Sequence, residues 1–239
     1  NSVTHRPLFS ICNPELTYSV NKYQTGCGTV DIMMHTLERY FSQTKDTDLT
    51  DRIAEALLKS TIEAGKAADQ DPEDYEARAT LMWAGSLSHN GLTSAGRDFL
   101  MQVHQMEHEL SGMYPRIAHG AGLSALWPSW ARFVCVHDVN RFARYAVNVW
   151  NIDMDFEHPM KTALAGIQAT EDFYKSLGMP VSIRELGVEP EKIEEMADKC
   201  TNMGTRRLPG IVELGKEEMI QIYRMAMDPE TSGPVTIYG

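Results

Sequence analysis

The chain has 239 residues, 43% of them hydrophobic and 23% charged, an ordinary balance for a globular protein with an ample core. Its formal net charge is −11 and no basic stripe stands out, which argues against a nucleic-acid partner. No apolar stretch approaches the ~18 residues of a membrane span and no signal peptide is visible, so no membrane partner is expected.

Cys12, Cys27, Cys135 and Cys200 are scattered without C-x-x-C spacing. They read as reduced thiols of a cytoplasmic protein, neither a disulfide framework nor a zinc knuckle. The chain opens Asn1-Ser2-Val3, and its first organised piece is an apolar run from Pro7 to Cys12 closed by Asn13-Pro14. That run predicts a strand, although an isolated strand has nothing to pair with. The N-terminus therefore reads as a cut.

Beyond this point the pattern is helical almost throughout. Gly26 and Gly28 open a helix and are read as close-packing positions rather than a phosphate cradle; Met33, Leu37, Tyr40 and Phe41 then recur at helical spacing. Thr50 is placed to cap a second run, with Ile53, Ala54, Leu57, Leu58 and Ile62 as its apolar stripe. Asp71-Pro72-Glu73-Asp74 predicts a third start, and Asn90-Gly91 its end. The next helix is expected from near Asp98 to Tyr114-Pro115, followed by an apolar run from Leu123 to Phe133 and an aromatic-rich segment through Trp150.

Pro159 to Leu177 is amphipathic and stopped by Gly178-Met179-Pro180; Glu191 to Cys200 follows Pro190, and Lys216 to Met227 is the last helix. No repeat or low-complexity linker interrupts the chain. The expected fold is one all-α domain over 15–227 carrying an N-terminal strand within 1–14, with no structural claim for the tail 228–239.

Two windows carry chemistry: CGTVDIMMHTLERYF and MQVHQMEHELSGMYPRIAHGAGL. Asp31/His35 and His104/His108 are i, i+4 pairs, which on a helix stand one above the other on one face. His119, just past a turn, can return to the same point. A carboxylate and three imidazoles (Asp31, His35, His104, His119) form a ligand set suited to Fe(II) or Zn(II). His108 is a fifth candidate, either a proton relay beside the metal or a helix-face residue bonded to a neighbour. His89, before Asn90-Gly91, reads as a cap or turn residue; His5, His137 and His158 read as structural or solvated. Walker A, G-x-G-x-x-G and G-x-S-x-G motifs are absent.

At these windows the sequence resembles the iron-containing (group III) alcohol dehydrogenases, especially their butanol-dehydrogenase-like branch. The resembling stretches are NPELTYSVNKYQTGCGTVDIMMHTLERYF, LMWAGSLSHNGL and HQMEHELSGMYPRIAHGAGLSALWPSWARF. The resemblance implies the helical metal-binding domain of that fold, with Asp31, His35, His104 and His119 as ligands and His108 beside substrate and nicotinamide. It also implies that Thr17 and Ser19 line the nicotinamide pocket, Leu16 standing where some members carry an aromatic residue. The loop Tyr114–Ala118 is one residue longer than the commonest family spacing. An α/β domain that holds the NAD(P) pyrophosphate in such proteins is missing here, and Pro7–Cys12 would be its remnant.

The resemblance thus implies an NAD(P)H-linked, metal-dependent enzyme interconverting a primary alcohol and an aldehyde, this chain supplying the metal site. A metal-binding helical module without redox activity is the alternative, and a helical interaction domain with incidental histidines a third reading. An apolar face left by the missing domain would favour a homo-oligomer.

Overall fold

The computed structural model describes residues 7–98 and 101–229. Among them are nine α-helices: α1 (Lys22–Tyr40), α2 (Asp48–Gln70), α3 (Tyr75–His89), α4 (Gln102–Met113), α5 (His119–Val134), α6 (Val139–Trp150), α7 (Pro159–Ser176), α8 (Ile193–Cys200) and α9 (Lys216–Met227). The one β pairing among the described residues is an antiparallel bridge between Leu208 and Leu214. No helix there is long and apolar enough to cross a membrane.

Local chemistry sets most boundaries. Asn21, Asp74 and Asp138 each accept a backbone N–H at the start of α1, α3 and α6, satisfying donors that the first turn of a helix leaves unpaired. Pro159 occupies the first position of α7, where its missing N–H costs nothing. Gly91 after α3 and Gly178 after α7 take the left-handed conformation, with φ of 94° and 69°, which ends a helix cheaply only for glycine.

Three expectations are corrected. Gly26 packs closely, but Gly28 does not, since a Cβ there would meet nothing within 4 Å. Pro7–Cys12 forms no strand; no neighbouring strand offers it hydrogen bonds, and Leu8, Phe9 and Ile11 stand exposed. Thr50 is no cap: α2 begins at Asp48 after Thr47, and the Thr50 hydroxyl donates to the Ala95 carbonyl at 3.0 Å. Of the tail, 230–239 lies outside the described residues.

The core is organised around α5. Fourteen of its sixteen residues are buried, and it contacts α1, α4, α7 and α9. A helix apolar on all sides is stable only when it is surrounded. The apolar run Leu123–Phe133 is therefore the central helix of the domain. Its Trp127 packs against Phe41 and Tyr145, and Phe142 stacks on Phe41 beside them. At its start α5 lies so close to α1 that a Cβ on Gly120 would run into the Cys27 carbonyl. That close approach carries His119, the first residue of α5, to the α1 face bearing Asp31.

Candidate metal centre

Three helices aim side chains at one point. Asp31 and His35 come from successive turns of α1, His104 from the first turn of α4, and His119 from the start of α5. Around Asp31 Oδ1 stand His104 Nε2 at 3.4 Å, His119 Nε2 at 3.6 Å and His35 Nε2 at 3.7 Å. Two donors that share an ion through bonds of ~2.0–2.2 Å lie within roughly 4.4 Å of each other. All three separations meet that limit. The loop before His119 is closed by a turn, with Ile117 N–H donating to Tyr114 O at 2.9 Å.

Asp31 Oδ1 and His104 Nε2 are both buried and neither has a hydrogen-bond partner. Burying a carboxylate oxygen and an imidazole nitrogen without partners is expensive. Two such atoms 3.4 Å apart, with two more imidazoles around them, are a donor set that fits a divalent cation.

The other ring nitrogens are held from behind. Glu38, 3% exposed, accepts from His104 Nδ1 and from the backbone N–H groups of Val103 (2.6 Å) and His104 (3.2 Å). It thus caps α4 and sets the tautomer of His104 in one contact. Glu107, fully buried, accepts from His119 Nδ1. Gly122 leaves room for it, since a Cβ there would lie 2.6 Å from Glu107 Oε1. Arg39 donates to the carbonyls of His35 and Ser88, the latter at 2.7 Å, joining α1 to the end of α3.

The electrostatics separate the members. Burial works to raise the Asp31 carboxyl, but His104, His89 and His35 outweigh it and hold it far below the usual range. Burial and then the charge of His104 push His35 down to about 3. At His104 burial acts downward, yet the Asp31 and Glu38 carboxylates prevail and raise it to about 9.

His108 is brought near: one donor atom each from His108, His119 and Glu107 lie within 4.8 Å of one another, as do those of Asp31, His35 and His104. His108 is exposed, its ring 5.5 Å from that of His119 and 6.4 Å from that of His104. Burial of part of the ring, then the charge of His119, depress its pKa. Thr17 is half-buried and lines a 210 Å³ pocket with Gln24, Gly28, Ile32, Arg78 and Met82, one helical turn from Asp31. Its hydroxyl donates to Pro14 O at 2.7 Å. Ser19 is exposed.

Sequence reasoning passed over three residues here. Glu38 and Glu107 carried a signal: Glu38 lies on the Asp31/His35 face of α1, and Glu107 follows His104 by one turn. His89, read as a cap, sits at the end of α3 with its Nε2 3.7 Å from Asp31 Oδ2, and no local spacing announces that. His158 stays at the surface near Asp155, His137 lies in the turn after α5, and His5 lies outside the described residues.

Residues 25–227 match the model of the Fe-containing alcohol dehydrogenase family, C-terminal. The chain is 44% identical over 223 residues to NADH-dependent butanol dehydrogenase B of Clostridium acetobutylicum, covering 92% of this chain and 57% of that protein. It is 31% identical to the NADPH-dependent aldehyde reductase YqhD of Escherichia coli, with coverages of 92% and 56%. Among solved structures, that of Escherichia coli YqhD superposes with a TM-score of 0.88 at 30% identity, covering 94% of this chain and 57% of that one. NADH-dependent butanol dehydrogenase A of Thermotoga maritima gives 0.84 at 30% identity, covering 90% and 55%. The chain thus spans somewhat over half the length of the relatives it matches. By the family match, these identities and the shared helical fold, it belongs to the iron-containing alcohol dehydrogenase family.

Proposed function

We propose that the protein is a metal-dependent alcohol dehydrogenase or aldehyde reductase, transferring hydride between NAD(P)H and a small aldehyde, with this chain supplying the metal site. The observation that carries this reading is the buried, partnerless pair Asp31 Oδ1 and His104 Nε2, with His35 and His119 closing around them. The names of the relatives, butanol dehydrogenase and aldehyde reductase, supply the substrate class and the cofactor.

Asp31, His35, His104 and His119 would hold Fe(II) or Zn(II). Such an ion, when bound, supplies Lewis-acid polarisation of a carbonyl or alcohol oxygen. Asp31 offsets part of its charge, and the Glu38 and Glu107 carboxylates keep His104 and His119 with their Nε2 lone pairs inward. His108, exposed and with its ring 5.5 Å from that of His119, would carry a proton between substrate oxygen and water at a ring nitrogen. The pocket at Thr17 and Gly28 is smaller than the roughly 300–1,000 Å³ that encloses a drug-sized ligand. It would therefore take one ring of a nicotinamide cofactor, with Thr17 in its lining, whereas the exposed Ser19 is not part of that lining.

The test is the metal content of this chain, together with turnover of butanal with NADH and NADPH, followed by loss of nicotinamide absorbance, in a protein that carries this chain joined to a cofactor-binding domain. His104→Ala is expected to abolish metal retention and turnover together. His108→Ala is expected to keep the metal and slow turnover by ~10²–10⁴-fold. Full turnover in His104→Ala contradicts the assignment.

A further inference from the structure

A fourth imidazole faces the same carboxylate, at its second oxygen. His89 Nε2 lies 3.7 Å from Asp31 Oδ2, the same distance as His35 Nε2 from Oδ1. Its ring lies against that of His35, centroids 3.7 Å apart, and the Arg39 bond to Ser88 O fixes the end of α3 there.

The other ring nitrogen decides what His89 can do. His89 Nδ1 is 2.9 Å from the Gly85 carbonyl oxygen, which can only accept, so Nδ1 carries the hydrogen. Ser88 Oγ, 2.8 Å from Nδ1, donates its own hydrogen to the same carbonyl at 3.0 Å and turns lone pairs toward the ring. With Nδ1 so occupied, Nε2 is the ring nitrogen left to face the Asp31 carboxylate, and an ion there would take its lone pair. His104 and His119 follow the same plan, with Nδ1 held by an acceptor and Nε2 aimed at Asp31, which is how protein-bound metals are usually ligated.

We infer that His89 Nε2 is a fifth protein donor to the ion at Asp31. The inference rests on the reading that Asp31, His35, His104 and His119 hold that ion. The His89 side chain is 43% exposed, close to the 39% of His119. Five N/O donors suit an ion that accepts more than four ligands, whereas zinc in protein sites is most often tetrahedral. His89 thus biases the site toward Fe(II), and its loss should shift the preference toward Zn(II).

The experiment is Co(II) loading of the 239-residue chain and of His89→Leu, with the hyperfine-shifted, exchangeable imidazole N–H signals counted by proton NMR. Affinity is measured in parallel by competition with a chelator, and far-UV circular dichroism checks that both chains are folded. The expected result is stoichiometric Co(II) in both, one shifted N–H signal fewer in His89→Leu, and an affinity reduced roughly tenfold or more. The same set of signals in both loaded chains overturns the inference and leaves the four-donor site standing. Failure of the wild-type chain to bind Co(II) overturns both.

Discussion

Two carboxylates behind the site, Glu38 and Glu107, govern how sharply it is defined. Both are buried, and each accepts from the Nδ1 of one inward imidazole. Replacing such a carboxylate by its amide keeps the shape and removes the charge that fixes the ring's tautomer. For Glu107→Gln we expect an unchanged circular dichroism spectrum and a metal affinity lower by ~10–100-fold. Chelator competition measures it, and unchanged affinity would show that His119 needs no such anchor. At this scale the sequence was only partly legible. Asp31 and His35 stand out because a helix repeats on itself every four residues, and His104/His108 showed the same spacing. Yet spacing alone did not distinguish His104, buried against Glu38, from His108, which turns out to solvent. His89 was illegible because its neighbour Asp31 is 58 positions away, and only the packing of α3 on α1 joins them.

Among the elements, α5 carries the most consequence. Its burial was written in the run from Leu123 to Phe133, whereas its close approach to α1 was written only in a glycine whose reason is tertiary. In Gly120→Ala the new Cβ meets backbone at Cys27 rather than a flexible side-chain end. We expect a loss of about 1–3 kcal/mol in denaturant unfolding, accompanied by weaker metal binding as His119 moves away from Asp31. Weaker stability with unchanged metal affinity would show that the α1–α5 contact does not position the site.

A second junction lies at the C-terminal end of α1, where Arg97 and Arg141 also donate to the carbonyls of Arg39 and Tyr40. Asp51 of α2, 3% exposed, accepts from Arg97 at 2.7 Å and from Arg141 at 2.5 and 2.6 Å, with Arg144 at 3.3 Å. Burial would raise its pKa, but Arg141, Arg97 and Arg144 overcome that and lower it. A carboxyl with a depressed folded-state pKa contributes stability that is present above its unfolded value of ~3.9 and lost as pH falls through the folded value. The wild-type chain should therefore lose stability from about pH 4 downward. Asp51→Asn should be less stable by about 3–5 kcal/mol at neutral pH, because it leaves buried guanidinium groups unpaired. Its stability should also fall less steeply in acid. Parallel acid profiles for the two chains would remove Asp51 from this role.

For the whole molecule, composition and periodicity were enough to indicate a helical domain, and the resemblance indicated which one. The Pro7–Cys12 run shows the limit of such reading, since a strand is a property of two segments and its partner is not among the described residues. What the fold accomplishes is to hold α1, α4 and α5 so that four side chains scattered from position 31 to position 119 meet around one carboxylate oxygen. An ion bound there ties three helices together and should stabilise the chain by mass action, by about 2.7 kcal/mol at a free concentration one hundred times its Kd. Chelator treatment should then lower the melting temperature, and Fe(II) or Zn(II) should restore it.

The most direct test of convergence is elemental analysis of the purified chain, reconstituted with Fe(II) or Zn(II), beside His104→Ala. One ion per wild-type chain, absent from the variant, is the predicted result. No ion in either chain, or equal retention in both, would contradict it.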